Sequence, residues 1–155
     1  MAELDPQAVA KAAKTIAIVG LSRDPAKPSR RIAGFLKKHG YRVIPVNPTE
    51  EEVLGERAYD TVDQIPDKVD VVNVFLRSEK TPQIAEDAVR AGAKVLWLQQ
   101  GITNPEARRI AQEGGLGYIE DECIYHSVNE SLQKGQRSRR EDSSGGASAS
   151  TPPRR

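Results

Sequence analysis

The chain has 155 residues, with 23 Lys and Arg against 22 Asp and Glu, one Cys and one Trp. That length suits a single domain, and a 37% hydrophobic share with 29% charged residues is enough for a compact core, which excludes wholesale disorder. No apolar run nears the roughly 20 residues a bilayer requires, and a lone cysteine makes neither an internal disulfide nor a CxxC zinc site.

The start, Met1 to Pro6, lacks the basic and apolar regions of a secretory signal, so the expected compartment is the cytoplasm. Asp5 and Pro6 read as N-cap and first residue of a short helix to about Lys14. Thr15 to Val19 (TIAIV) is an all-apolar strand ending at Gly20. Pro28 or Ser29 starts an amphipathic helix whose Ile32, Phe35 and Leu36 share one face, closing at Gly40. Arg42 to Val46 (RVIPV) is a second strand, ended by Asn47-Pro48, and a single turn is expected near Thr61 to Ile65. Val69 to Leu76 (VDVVNVFL) is a third strand. Thr81-Pro82 caps a helix to Ala91-Gly92, Lys94 to Leu98 (KVLWL) is a fourth strand, and Asn104-Pro105 caps a helix to about Glu113. Leu116 to Ile119 is a fifth strand, with a last helical turn expected over Ser127 to Leu132.

Residues 133 to 155 hold no aliphatic side chain larger than Ala and are dominated by Ser, Gly, Pro and Arg, so they are expected to form a disordered tail behind a folded domain of residues 1–132. The tail carries six basic residues and two acidic ones, a surplus of four, which leaves the first 132 residues at −3. Clustered Arg attracts phosphate, but the tail has no aromatic residue to stack on bases, which argues against nucleic acid as its partner.

Five short apolar strands separated by helices cannot be joined by hairpins. The expected fold is therefore α/β, a doubly wound, Rossmann-like domain with a five-stranded parallel sheet, and right-handed crossovers give 3-2-1-4-5 as the expected strand order. Ligands of such sheets bind beyond the carboxyl ends of the strands, where the order reverses. The residues to watch are then Gly20-Leu21-Ser22, Asn47-Pro48, Phe75-Leu76-Arg77 and Gln99-Gln100-Gly101.

After the first strand, Gly20 allows a sharp turn, Ser22 adds a hydroxyl, and Arg23, Lys27, Arg30 and Arg31 supply four positive charges beside a helix N-terminus. An anionic ligand is indicated. No glycine lies between Gly20 and Gly34, so the G-x-G-x-x-G dinucleotide fingerprint is absent. Where an NAD enzyme would place Asp or Glu to hold the ribose hydroxyls stands Asn47, and an uncharged amide favours a phosphorylated ribose, as in coenzyme A or NADP.

The runs TIAIVGLSRDPAKPSRRI, YRVIPVNP, VDVVNVFLRS and VLWLQQGI, in this order and spacing, resemble the stand-alone CoA-binding proteins, which are similar to the CoA-binding domain of the succinyl-CoA synthetase alpha subunit. The resemblance covers Ala12 to about Leu132 and implies coenzyme A as the cofactor. It implies that Gly20, Ser22 and Arg23 with Gln99, Gln100 and Gly101 face the pyrophosphate. It further implies that Asn47, Pro48, Phe75, Leu76 and Arg77 line the nucleotide pocket, with Lys27, Arg30 or Arg31 reaching the ribose phosphate. Arg30 stands where many relatives have an aromatic residue, and Asp121-Glu122-Cys123 where many have Asp-Arg-Cys.

The ligases of that superfamily pass phosphate through a histidine in a further domain, for which this chain is too short. His39, beside Gly40, reads as a helix-end residue, and His126 shares no metal-like spacing with Cys, Asp or Glu. Cys123 has acidic neighbours and reads as a buried, inert thiol, Trp97 reads as core, and Phe75 either stacks on a base or closes the core. The expected function is binding of coenzyme A or acyl-CoA, a small-molecule nucleotide ligand, with no chemistry of its own, no metal and no membrane, by a monomer or a homodimer. An NADP-dependent oxidoreductase and a nucleotide-sensing interaction module remain the alternatives.

Overall fold

The computed structural model describes residues 4–134. Its strands are β1 (Thr15–Val19), β2 (Arg42–Val46), β3 (Glu52–Val53), β4 (Glu56–Arg57), β5 (Val71–Val74), β6 (Val95–Leu98) and β7 (Gly117–Ile119). Its helices are α1 (Pro6–Ala12), α2 (Pro28–Lys38), α3 (Thr81–Ala91), α4 (Pro105–Glu113) and α5 over residues 124–134, with single 3-10 turns at Val62–Gln64 and Ser78–Lys80. The expected starts of α1, α2 and α4 hold for local reasons. Asp5 accepts a hydrogen bond from the Gln7 N–H at 3.2 Å, Pro28 opens α2, and Asn104 Oδ1 accepts from the Ala107 N–H at 2.9 Å. His39 closes α2, with Nδ1 2.9 Å from the Phe35 carbonyl oxygen. The α5 helix begins three residues before the expected last turn and takes in Gln133 and Lys134; the rest of the basic tail lies outside the described residues.

Five strands form one parallel sheet, ordered β2-β1-β5-β6-β7, and β3 pairs with β4 as a small separate hairpin. The doubly wound α/β class is as expected, but the order is corrected: counted along the sheet's own strands it is 2-1-3-4-5, not 3-2-1-4-5. Two physical reasons account for it. Pro45, in the middle of β2, has no N–H, and its carbonyl accepts from the Tyr59 N–H at 3.0 Å on the side away from β1. A strand carrying a proline that way belongs at a sheet edge. Moreover, Val62 and Ile65, in the connection leaving β2, pack on the face opposite α2. A right-handed crossover on that face has to travel back past β1 and lay β5 on its other side.

Alternation along β1 divides the core. Ile16 and Ile18 pack with Ala10 of α1, Ala33 and Leu36 of α2, and Ile124 and Val128 of α5, while Ala17 and Val19 pack with Ala85 and Ala88 of α3 and Ala107 and Ala111 of α4. Trp97 is fully buried, as expected, and its Nε1–H donates to the Glu122 carbonyl at 2.9 Å. Among the described residues no helix is long and apolar enough to cross a membrane.

Candidate functional site

The corrected order moves the switch point. The chain leaves β1 toward the α2 face and leaves β5 toward the α3 face, so the crevice opens between the loops after β1 and β5. Gly20 makes this junction possible. It sits at φ +87°, and a Cβ there would meet Leu76 Cδ2 and the Phe75 carbonyl oxygen, each at 3.0 Å.

A cleft of about 780 Å³ lies at that place. Pro28 and Ile32 at the start of α2, Phe75 and Leu76 after β5, Ile102, and Cys123 before α5 give it an apolar wall. Arg77, Ser78 and Glu79, with Gln99, Gln100 and Gly101 after β6, give it a polar one. The two polar loops are cross-tied: Ser78 Oγ–H donates to the Thr103 carbonyl at 2.5 Å, and Asn104 Nδ2–H donates to the Ser78 carbonyl at 2.9 Å. Gln99 is almost fully buried, and its Oε1 accepts from Asn73 Nδ2–H at 3.3 Å and from the Ile124 N–H at 3.2 Å. That amide therefore holds the N-terminus of α5, and with it Cys123, against the cleft floor. Asn73, fully buried in the central strand, keeps an unpartnered Oδ1.

Of the residues expected to form the site, the structure brings Phe75, Leu76, Arg77, Gln99, Gln100 and Gly101 together in this cleft. The first loop is arranged differently. Leu21 is fully buried, so its side chain belongs to the core. The Ser22 N–H donates to Ser29 Oγ at 3.2 Å, and Ser22 Oγ accepts from the Asp24 N–H at 3.0 Å. Arg23 pairs with Glu50, Arg31 Nη1 donates to the Ala26 carbonyl at 2.7 Å, Arg30 is half-buried, and Lys27 is exposed at the start of α2. That helix has no side-chain cap; its Arg30 and Arg31 N–H groups donate to the Lys27 carbonyl at 3.1 and 3.2 Å, and its first residue, Pro28, stands at the cleft rim. Asn47 ties loops together, donating from Nδ2 to the Leu21 carbonyl at 3.1 Å and accepting the Thr49 N–H at 3.0 Å, while Pro48 is exposed.

Sequence reasoning missed Pro28, Ile32, Ser78, Glu79 and Ile102 as lining residues, and expected Cys123 in the core, where it is instead half-buried on the cleft. The signal for the first five was proximity: each lies within a few residues of a strand's carboxyl end or the α2 N-terminus. A smaller hollow of about 430 Å³ lies at the β7 edge, between Leu4, Arg108 and Tyr118. Arg108 there stacks over the Tyr118 ring, whose phenol is pushed up by burial and by its hydrogen bond to Glu120. The switch-point cleft is the candidate site because three loops converge on it. Among the described residues no group of three His, Cys, Asp or Glu side chains is placed to hold a metal.

An open parallel sheet with a cleft of mixed polarity at its switch point defines a Rossmann-like ligand-binding domain. Residues 14–128 match the family model described as CoA binding domain, and the chain belongs to that family. It is 43% identical to the uncharacterized protein YneT of Bacillus subtilis, over 72% of this chain and 82% of that protein. It is 32% identical to the ADP-forming acetate–CoA ligase II subunit alpha of Pyrococcus furiosus, over 70% of this chain but only 26% of that subunit. A hypothetical protein from Pyrococcus horikoshii OT3 shares the fold with a TM-score of 0.79 at 37% identity, over 83% of this chain and 93% of that one.

Proposed function

We propose that the chain binds coenzyme A or an acyl-CoA in the switch-point cleft and carries out no reaction by itself. The observation that supports this most is the cleft's division into two chemistries in a member of the CoA-binding family. Coenzyme A is itself divided, with an anionic nucleotide end and an uncharged pantetheine arm whose methyl and methylene groups alternate with amides. The wall of Arg77, Gln99, Gln100 and Gly101 and the uncapped α2 N-terminus suit the first, and Ile32, Phe75, Leu76 and Ile102 suit the second. A volume of about 780 Å³ falls in the ordinary range for small-molecule sites, roughly 300–1,000 Å³. The ligase activity named for the Pyrococcus furiosus subunit belongs to a protein of which this chain spans about a quarter.

Calorimetric titration with coenzyme A, NADP and NAD tests the reading. Saturable binding of coenzyme A, with NAD silent, is the expected result; binding of NADP alone would overturn the assignment in favour of a redox cofactor.

A further inference from the structure

The outermost strands of the sheet each send a carboxylate inward. In the loop after β2, Glu50 Oε2 accepts the Arg23 N–H at 3.1 Å, and its Oε1 lies 3.6 Å from Arg23 Nε. Glu50 is placed there by a turn in which its own N–H donates to the Asn47 carbonyl at 3.1 Å, and only 12% of its side chain is exposed against 81% for Arg23. In the loop after β7, Asp121 Oδ1 accepts the Gly101 N–H at 2.7 Å. Asp121 adopts the left-handed φ of +56° to do so, with its N–H donating to the Ile102 carbonyl at 3.2 Å. In the order β2-β1-β5-β6-β7 the two contacts are counterparts: each edge loop puts a carboxylate on the backbone amide of its inner neighbour, and the cleft over β5 has Gly101 in its wall and Arg23 beyond that wall.

Backbone N–H groups beyond strand ends are the donors that phosphate oxygens take, and a carboxylate oxygen is an acceptor of the same kind. Above Gly101 nothing lies within 4 Å of where a Cβ would stand, so its surroundings are open to a ligand. We infer that Glu50 and Asp121 are internal anions that compete with a ligand's phosphates for the Arg23 and Gly101 amides and so set the affinity of the cleft for phosphorylated ligands. This rests on the coenzyme A reading and adds a regulation of that same site.

The test compares the parent chain with Glu50→Gln and Asp121→Asn by calorimetry, using coenzyme A and using pantetheine, which has no phosphate. Each near-isosteric change is expected to tighten coenzyme A binding about three- to tenfold, the scale of one partly exposed charge-assisted hydrogen bond that no longer opposes the ligand, and to leave pantetheine unchanged. Were the carboxylates only braces for the loops, both ligands would bind more weakly; unchanged or weaker coenzyme A binding by both variants, with the parent binding, overturns the inference and leaves the coenzyme A reading standing. No binding by parent or variants overturns both. A measurement on the unmodified chain guards against misfolded variants: the Arg23 and Gly101 amide resonances are expected to move when coenzyme A is added, and two stationary amides in a chain that binds it would also overturn the inference.

Discussion

Gly20 and Phe75 meet backbone to backbone: a Cβ on the glycine would stand 3.0 Å from the Phe75 carbonyl oxygen. The loops after β1 and β5 thus close on each other at the base of the cleft, and the closeness depends on a residue without a side chain at φ +87°. Gly20→Ala is expected to cost about 2–4 kcal/mol, from the left-handed backbone penalty together with overpacking against Leu76. Urea denaturation measures it; an unchanged midpoint would mean that the two loops part freely.

The entry to β1 depends on one carboxylate. Asp70 Oδ2 accepts the Lys14 N–H at 2.8 Å and the Thr15 N–H at 3.0 Å, and Oδ1 lies 3.5 Å from Lys94 Nζ. Burial alone would raise its carboxyl, but the Thr15 and Lys14 N–H groups and the Lys94 ammonium outweigh that and hold it below the usual range. A depressed folded value means the stabilisation is complete above the unfolded value of roughly 3.9 and is lost as pH falls through the lower folded one. Asp70→Asn is expected to destabilise the chain by about 1–2 kcal/mol at neutral pH. It should also lessen the acid-induced loss below about pH 4, read from denaturation midpoints between roughly pH 2 and 7. A variant with the parent's acid profile would show that Asp70 is not the group responsible.

Strands, caps and the parallel class could be read from the sequence because they depend on neighbours in the chain. Ile16 to Val19 are apolar without a break since both faces of β1 are covered, and Asn104-Pro105 joins a capping side chain to a first-turn proline. Strand order depends on which face a connection crosses, and the residues that decide it, Val62 and Ile65, carry no local mark of their face. The proline in RVIPV did carry one, since a central strand cannot forgo that N–H. At the site, Phe75 to Arg77 and Gln99 to Gly101 were legible as the residues that follow strands. Glu50 and Asp121 were not: each sits in a short acidic run, Glu50 to Glu52 and Glu120 to Glu122, and only a turn and a left-handed backbone single out one carboxylate in each.

Gln99 joins the cleft wall to the core, since its Oε1 receives both Asn73 and the Ile124 N–H. Gln99→Leu keeps the volume and removes the acceptor, leaving two buried donors short of a partner. Its expected cost is about 1–3 kcal/mol, with faster amide exchange at Ile124 as the local signature. Stability lost without that signature would point to packing instead.

Gln100 is the wall residue best suited to test the charge of the site, because it is exposed and lines the cleft without joining the hydrogen bonds that hold Gln99. Gln100→Glu should leave the denaturation midpoint within about 0.5 kcal/mol of the parent, as surface changes usually do. A carboxylate a few ångströms from a bound phosphate in a solvated cleft costs on the order of 1 kcal/mol. Coenzyme A binding is therefore expected to weaken about fivefold, with the deficit shrinking as salt is raised from roughly 0.05 to 0.5 M because the repulsion is screened. Pantetheine, having no phosphate to repel, should bind the variant and the parent alike. Equal weakening for both ligands would place the pantetheine arm, not the phosphates, against Gln100 and would reverse the orientation assigned to the ligand.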